Sequence, residues 1–398
     1  MQTKVIVVGA GPVGTVAAYY LAQNGIDVVL LEAGSDCAQD LRASTFHPPT
    51  LEMLDRFDIT KRLIEVGLQA PVYHFRERQS GEVIDFDMSE LSDVTRYPFR
   101  VQCEQYHLSR MLAEGIAAMP NADVLFDHHV VAIEQDSTGV DLYAETPLAI
   151  KKLRADFVIG ADGANSIVRK WLGTEFDGFT YPEKFLCLTT EEPLQDHIKG
   201  LCYVNYVSDP LEWMVLLKVP SLWRILVPAE HSESDAALLS DAKKNDVFER
   251  LIGSGSTVRT EHRTIYRVHQ RVAKQFLDRR VAIIGDAAHL NNPIGGFGMN
   301  SGIHDAFNLC HQLTGIFKSG WDADKALAQF EVQRRTTTHD FTQAQTIRNL
   351  EYLSDGRTKE HSKRKEELLA IRADPQQRRQ FLLRQSMIES LDKEREAA

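Results

Sequence analysis

A glycine-rich segment near the N-terminus has the residue types and the spacing of a phosphate-binding turn. Gly9, Gly11 and Gly14 follow a β-branched run and open a stretch with helical spacing. The first glycine permits a tight turn, the second lets backbone amides approach a pyrophosphate, and the third lets the helix pack closely on the strand. Glu32 ends the next apolar run, where a carboxylate accepts the hydroxyls of an adenosine ribose. The segment predicts an adenine dinucleotide site; a glycine turn that binds nothing is the alternative.

Two later segments place aspartates where apolar strands should end. Asp162 lies in Gly160-Ala161-Asp162-Gly163, and Asp286 follows Gly285 after a second apolar run. A glycine-rich loop at residues 291–298 then leads into a helix near Met299 and Asn300. An aspartate at a strand end accepts hydroxyls of a polyol chain, and a helix start offers free amides to an electron-rich oxygen. Because α/β sheets bind ligands outside the carboxyl ends of their strands, we expect these segments to line one crevice.

The hydrophobic pattern predicts the elements that hold these motifs. Residues 4–31 predict strand, helix and strand, and residues 280–286 predict a return to a buried strand. The stretch from about 175 to 275 is rich in aromatic and β-branched residues broken by prolines, which predicts a largely antiparallel sheet. A hairpin is expected around Ser80-Gly81. A helix should begin at Asp374-Pro375, since aspartate caps a helix and proline fits its first turn.

Composition and charge exclude some classes of function. The chain has 398 residues with 45 basic and 56 acidic side chains, a net charge of −11, which argues against general nucleic-acid binding. Its five cysteines include no C-x-x-C pair, so we expect reduced thiols and no metal site. No apolar run is long enough to span a bilayer, and a strand begins almost at the first residue. We therefore expect a cytoplasmic protein without a membrane partner.

Together, the three motifs resemble those of the FAD-dependent aromatic hydroxylases of the para-hydroxybenzoate hydroxylase type, which are single-component flavoprotein monooxygenases. The order and the spacing are similar, and the resemblance covers essentially the whole chain. It implies hydroxylation of a small activated aromatic, either phenolic or a hydroxylated N-heterocycle, with or without a carboxylate. The co-substrates would be O₂ and NADH or NADPH, and the oxidant a flavin C4a-hydroperoxide. It also implies a monomer or a homodimer.

The resemblance carries a set of cofactor-binding residues over to this chain. The glycine turn would bind the pyrophosphate of FAD, Gln102 would lie near the ribityl chain, and Asp286 would bind that chain. The full set is Gly9, Gly11, Gly14, Glu32, Arg42, Gln102, Asp162, Asp286, Gly296, Gly298, Met299 and Asn300.

Substrate-facing residues are expected from the antiparallel sheet. Tyr203 lies where the resemblance places a tyrosine that bonds the substrate hydroxyl, and Pro293 lies on the reactive side of the flavin; these two are the expected catalytic residues. Arg224 interrupts an apolar strand, and a buried arginine favours an anion such as a carboxylate. Trp213 and Met214 would form the wall of the pocket.

The predicted fold is α/β: a Rossmann-like FAD-binding domain, an interleaved and mostly antiparallel substrate sheet domain, and C-terminal helices. The FAD-binding domain would comprise residues 1–70, 99–174 and 276–320, the sheet domain residues 71–98 and 175–275, and the helical region residues 321–398.

Other functions on the same scaffold stay open at this point. An FAD-dependent halogenase or a prenyl-lipid oxidoreductase would share the cofactor site, although the chain has no W-x-W-x-I-P motif. A flavin-binding sensor without turnover is the third alternative, because a fold does not fix a function. His47 and His289 are weaker site candidates than the residues above.

Overall fold

The structure is a computed structural model that describes residues 2–39, 43–209, 212–253, 257–353 and 359–397. The fold is mixed α/β and contains three sheets among these residues. No helix in these ranges is both long and apolar enough to cross a membrane.

The strands are β1 (Gln2–Val8), β2 (Val28–Leu31), β3 (Thr45–Phe46), β4 (Leu68–Ala70), β5 (Val72–Glu77), β6 (Val83–Asp87), β7 (Arg100–Gln102), β8 (Ala122–Leu125), β9 (His129–Gln135), β10 (Val140–Glu145), β11 (Ile150–Gly160), β12 (Phe176–Thr190), β13 (Val204–Ser208), β14 (Met214–Lys218), β15 (Trp223–Ala229), β16 (His262–Ala273), β17 (Leu277–Asp278), β18 (Val281–Ile283) and β19 (His289–Leu290).

The helices are α1 (Pro12–Gln23), α2 (Pro48–Asp55), α3 (Ile59–Val66), α4 (Gln105–Ala117), α5 (Ile167–Leu172), α6 (Leu194–His197), α7 (Asp235–Leu238), α8 (Asp241–Ile252), α9 (Phe297–Ser319), α10 (Ala323–Thr337), α11 (Ala344–Leu353), α12 (Lys359–Ala373), α13 (Pro375–Gln385) and α14 (Ile388–Glu396). Short 3₁₀ turns span Met88–Leu91 and Gly285–Ala287, and a π-helical segment, Thr338–Gln343, joins α10 to α11.

The first sheet contains the parallel strands that end in the sequence motifs. Its order is β17-β18-β11-β1-β2-β8, and the pairs β18–β11, β11–β1 and β1–β2 are all parallel. Val5 to Val8 are at most 5% exposed, as expected of a parallel strand that is buried on both faces. Helix α1 packs against α4 and α9 on this sheet. The carboxyl ends of neighbouring strands therefore lie side by side, as the site requires.

The second sheet is mostly antiparallel, in the order β19-β16-β12-β15-β14-β13-β5-β6. Its side chains alternate between two cores because successive residues of a strand point to opposite faces. One core, which includes Met214, Trp223 and Phe248, lies beneath α8. The other core includes Phe75 and Tyr206 and is completed by residues of α11, α12 and α13. The expected hairpin is confirmed, since β5 and β6 pair antiparallel on either side of Ser80-Gly81.

A small sheet of three strands, in the order β3-β7-β4, lies between the parallel sheet and the antiparallel sheet. Phe46 and Val101 on one face belong to the core of the parallel sheet, whereas Ala70 on the other face belongs to the aromatic core of the antiparallel sheet. The alternation of side chains therefore gives this sheet one apolar face toward the dinucleotide motifs and one face toward the aromatic core.

The predicted fold class is confirmed, including the interleaved antiparallel sheet and the C-terminal helices. Asp374 caps α13 as predicted, since its carboxylate accepts hydrogen bonds from the amides of Gln376 and Gln377 at 2.8 and 3.0 Å. The division into domains at the residue numbers given above stays an interpretation.

Candidate functional site

The three sequence motifs meet around the start of α1. Gly9 has a φ of +102°, and a Cβ atom there would lie 2.5 Å from the carbonyl oxygen of Ala161 in the second motif. A Cβ at Gly285 in the third motif would lie 3.1 Å from the side chain of Val13. A Cβ at Gly14 would approach the carbonyl oxygen of Gly9 to 1.9 Å. Glycine at these positions is what lets the three strand ends approach one another.

Glu32 holds the glycine turn in place. Its carboxylate accepts hydrogen bonds from the backbone amides of Ala10 at 2.7 Å and Gly34 at 2.9 Å. A carboxylate has about four acceptor positions, so Glu32 keeps capacity for the hydroxyls of a ribose. At Gly11, by contrast, an added Cβ would meet no atom within 4 Å. The turn thus opens onto free space at the position where the motif predicts that a pyrophosphate approaches.

Asp162 caps the helix that follows the second motif. Its carboxylate accepts hydrogen bonds from the amides of Ile167 at 2.7 Å and Val168 at 3.1 Å, and from the hydroxyl of Ser166. Burial raises the pKa of Asp162 in spite of these bonds. Asp162 therefore supports the turn itself, and a direct contact with a cofactor stays a prediction. Asp286, in contrast, is exposed within the 3₁₀ turn after β18.

Arg169 joins the second motif to the third. This buried arginine donates to the carbonyl oxygen of Ala164 at 2.7 Å and to that of Ala287 at 2.9 Å. It therefore fixes the distance between the strand ends that carry Asp162 and Asp286.

A buried ionic cluster supports the third motif from behind. Asp305 on α9 accepts hydrogen bonds from the amide of Gly285 at 3.0 Å and from Nε of Arg334 at 2.7 Å, and it lies 2.8 Å from Nε2 of His289. Arg334 also pairs with Glu394 at 2.6 Å. Burial would raise the pKa of Asp305, but Arg334 and His289 lower it to about 2. His289, a weak site candidate by sequence, thus braces the Gly285 turn.

The start of α9 is tied to β3 by Asn300. Its side-chain oxygen accepts from the amide of His47 at 3.0 Å, and its side-chain nitrogen donates to the carbonyls of Thr45 and Gly296 at 2.8 and 2.7 Å. Gly296 has a φ of +75°, and a Cβ there would lie 2.9 Å from Thr45. Asn300 therefore holds the glycine loop that leads into α9, whose first turn contains the amides of Gly298 and Met299.

Gln102 has a free donor on the side of this loop. Its side-chain oxygen accepts a hydrogen bond from the hydroxyl of Thr45 at 3.0 Å. Its Nε2 is buried and has no hydrogen-bond partner in the part of the chain that the structure describes. A buried donor without a partner is costly in a folded protein, so this atom points to a ligand acceptor such as a hydroxyl or a ring oxygen. The residues present therefore fit FAD at both ends, at Gly11 and at Gln102.

On the substrate side, Arg224 connects the antiparallel sheet to the segment that precedes β3. Its side chain is 6% exposed, and Nη1 donates to the hydroxyl of Ser44 at 3.1 Å. Trp213 packs edge to face on Phe185 at 5.0 Å in the aromatic core. Pro293 is exposed at the edge of the glycine loop.

Two of the predicted substrate-side residues lie outside the buried aromatic core of the antiparallel sheet. Met214 belongs to the core beneath α8, on the sheet face opposite to Trp213, so its expected place in the pocket wall is wrong. Adjacent residues of a strand cannot both face the same cavity. Tyr203 precedes β13 with 41% of its side chain exposed, so it lies outside the buried part of the site. Arg42 falls outside the described residues.

Sequence reasoning missed a buried polar group between the small sheet and the antiparallel sheet. The group consists of Arg100, Tyr73 and Tyr206. The guanidinium carbon of Arg100 lies 4.5 Å from the centroid of the Tyr73 ring, and Nη1 of Arg100 lies 3.3 Å from the Tyr206 hydroxyl. The only signal in the sequence is that Arg100 lies two residues before Gln102, which places both on one face of a strand.

One group of potential metal ligands occurs within the described ranges: Cys103, Glu104 and His107, whose ligand atoms lie within 4.8 Å of one another. Burial and the neighbouring Glu104 raise the pKa of Cys103 to about 12. The thiol is therefore protonated at neutral pH and a poor ligand. The absence of a metal from the site stays a prediction.

Comparison with known proteins decides the family. Residues 2–345 match the model of the FAD binding domain family. The chain belongs to this family. It is 33% identical over 356 residues to a para-nitrophenol 4-monooxygenase from Pseudomonas sp. (strain WBC-3), an alignment that covers 88% of this chain and 87% of the relative. It is also 33% identical over 340 residues to a 6-hydroxy-3-succinoylpyridine 3-monooxygenase from Pseudomonas putida (strain DSM 28022 / S16), covering 84% of this chain and 85% of that one.

The structures agree with this assignment. The crystal structure of a p-nitrophenol 4-monooxygenase from Pseudomonas putida DLL-E4 superposes with a TM-score of 0.92 at 30% identity and covers 99% of this chain and 98% of that chain. The protein is a flavin-dependent aromatic monooxygenase with FAD as its cofactor. The resemblance stated from the motifs is confirmed.

Proposed function

We propose that the protein hydroxylates a small phenolic or hydroxylated N-heterocyclic ring, with or without a carboxylate, and uses NADH or NADPH and O₂. Two relatives at 33% identity are named for a nitrophenol and for a hydroxylated pyridine, which supports this substrate class. Halogenation, prenyl-lipid chemistry and flavin sensing without turnover are the alternatives that the experiment below tests. The cytoplasmic location and the monomeric or dimeric state stay predictions from the sequence.

The observation that carries the proposal is a buried polar face set against an aromatic wall. Arg100 and Gln102 lie on the face of the small sheet that looks toward the antiparallel sheet, and His47 follows β3 directly. Among the described residues, each of the three has a buried side-chain atom without a partner. The wall includes Phe75, stacked on Tyr206 with ring centroids 5.1 Å apart. Binding sites for small aromatic ligands combine apolar walls with a few polar groups of this kind.

The chain's own residues would bind, orient and shield the reactants. When bound, FAD supplies the redox chemistry: it takes electrons from the nicotinamide and activates O₂ for transfer to an electron-rich ring. The Gly9 turn and Glu32 would hold the adenosine end of FAD, and Gln102 and the start of α9 the flavin end. The two sheets would exclude water from the ring and hold it in one orientation. The remaining cofactor and substrate residues named from the sequence, except Met214, stay part of this proposal.

The experiment measures oxidation of NADH and of NADPH by the FAD-loaded protein across a panel of phenols and hydroxypyridines, with the oxygenated product quantified. Strong stimulation by one compound with stoichiometric product supports the proposal. Nicotinamide oxidation without product for every compound contradicts it, and the absence of any stimulation favours the sensor. Gly11→Ala serves as the matched variant. Its methyl group meets no protein atom within 4 Å, so folding should be kept while flavin content and activity fall together.

A further inference from the structure

Arg100 is a buried cation that has no anion beside it among the residues that the structure describes. Its side chain is 1% exposed, and its partners are the Tyr206 hydroxyl at 3.3 Å, the carbonyl oxygen of Gln385 at 3.2 Å and the face of the Tyr73 ring. Nε has no partner, and within the described ranges no carboxylate forms an ion pair with Arg100. A buried charge without a counter-ion destabilises a protein unless something else compensates it.

The register of the small sheet shows what surrounds this cation. Thr45 pairs with Gln102 and Phe46 with Val101, so the next residue, His47, comes opposite Arg100. The side chains of Arg100, Gln102 and His47 therefore share one face. Within the described ranges, the buried atoms without partners here are Nε of Arg100, Nε2 of Gln102 and Nδ1 of His47, together with the hydroxyl of Tyr73, whose ring lies beneath the guanidinium.

The protonation state of this group follows from its contacts. Burial and the charge of Arg100 lower the pKa of His47 well below its usual range, so the ring is neutral. Nε2 of His47 lies 2.8 Å from the carbonyl oxygen of Gly295, which only accepts, so Nε2 carries the hydrogen and Nδ1 is a free acceptor. Burial raises the pKa of Tyr73, which keeps its hydroxyl protonated and able to donate. Arg100 is thus the only charged side chain in a group that offers two unused donors, Nε of Arg100 and the Tyr73 hydroxyl.

We propose that Arg100 and Tyr73 form the subsite that binds the anionic oxygen of the aromatic substrate, a phenolate or a ring carboxylate. This inference rests on the proposed function and adds a residue that determines specificity. The contact between His47 and Gly295 joins the subsite to the glycine loop at the start of α9. Arg224, which the sequence favours for an anion, donates to the Ser44 hydroxyl and is the competing residue that the test below includes. The neutral His47 offers its Nδ1 to a hydroxyl proton of the same ring.

The test measures binding to the FAD-loaded protein without NADH or NADPH, so that no turnover occurs. Two probes of similar shape are titrated in mildly alkaline buffer and followed by the change in flavin absorbance: 4-nitrophenolate, an anion there, and 4-nitroanisole, its neutral methyl ether. Wild type should prefer the anion. Arg100→Met should weaken 4-nitrophenolate by roughly 10- to 100-fold, as for loss of a charge-assisted hydrogen bond, and change 4-nitroanisole little.

Matched variants make the result specific. Arg100→Lys keeps the charge and should restore part of the preference, and Tyr73→Phe keeps the ring and should give a smaller loss in the same direction. Arg378→Met, at a partly exposed arginine on α13 that pairs with Glu90, should leave both affinities unchanged. The measure of the subsite is the ratio of the affinities for 4-nitrophenolate and 4-nitroanisole. If Arg100→Met does not retain FAD, this ratio in Arg100→Lys and Tyr73→Phe provides the test.

Three outcomes would overturn the subsite: no preference for the anion in wild type, equal losses of both probes in the Arg100 variants, or loss of the preference in Arg224→Met alone. Failure of the proposed function is a separate result. A protein that binds 4-nitrophenolate through Arg100 but hydroxylates no aromatic would contradict the proposed function and leave the subsite standing.

Discussion

Two buried arginines, Arg334 and Arg100, are each 1% exposed and differ in what surrounds them. Arg334 lies between the carboxylates of Asp305 and Glu394, which neutralise its charge within the fold. Arg100 has a tyrosine hydroxyl, a carbonyl oxygen and an aromatic face, none of which carries a negative charge. The charge of Arg334 therefore serves the fold, whereas the charge of Arg100 is left for a ligand. Removal of the Arg334 charge should therefore lower the stability of the fold, whereas removal of the Arg100 charge should weaken ligand binding and leave stability nearly unchanged.

The largest effect is expected from Arg334→Met. The substitution would leave two carboxylates near one another without their cation, and breaking a buried ion pair in this way costs about 3 to 5 kcal/mol of unfolding free energy. Guanidinium unfolding of the FAD-loaded protein, followed by circular dichroism, measures the loss. Arg335→Met, an exposed neighbour on the same helix, is the control and should unfold with the wild type. Equal midpoints for the two variants would mean that Asp305 does not depend on Arg334.

The same cluster predicts sensitivity to acid. Arg334 and His289 lower the pKa of the buried Asp305 to about 2, below the value of an unfolded chain. A lowered carboxyl pKa stabilises the fold above the unfolded value, and the stabilisation is lost as the pH falls toward the folded one. Since the ordinary pKa of an aspartate is about 3.9, the stabilisation is lost between about pH 4 and pH 2. The loss amounts to about 2 to 3 kcal/mol of unfolding free energy. Asp305→Asn should be less stable at neutral pH and should lose less stability across this window; a parallel decline would assign the acid sensitivity elsewhere.

The dinucleotide half of the site could be predicted from sequence because its requirements are local. A glycine at a tight turn and an acid at the next strand end are features of single short segments, as Gly9 and Glu32 show. The subsite of Arg100 depends instead on the register of three short strands and on Tyr73 from a different sheet, and β7 is too short to show a period. The error at Met214 has a related cause, since a shift of one residue along a strand exchanges the two faces of the sheet.

The stability of Arg100→Met gives a direct contrast with that of Arg334→Met. Arg100→Met places an apolar side chain among Tyr73, Phe75 and Tyr206 and leaves no buried carboxylate behind. We expect the unfolding free energy of the FAD-loaded protein without substrate to change by less than about 1 kcal/mol, or to rise, because replacing a buried charge by an apolar group is often neutral or stabilising. Unfolding under the same conditions as for Arg334→Met gives the direct contrast. A loss as large as that of Arg334→Met would show that Arg100 serves the fold after all.

The smallest effect is expected at the surface, where the charges of the C-terminal helices meet the β5–β6 region. Nε of Arg378 on α13 lies 2.9 Å from a carboxylate oxygen of Glu90, and both side chains are partly exposed. Arg378→Met should change the unfolding free energy by less than about 1 kcal/mol, because solvent weakens the attraction and ordering the side chains offsets it. Unfolding by urea, which is uncharged, measures this difference, and repeating it in about 1 M salt, where screening acts over about 3 Å, should remove it. A salt-independent loss would instead indicate that the hydrogen bond from Arg378 to the carbonyl oxygen of Arg372 holds the end of α12, which is a contribution of geometry and not of charge.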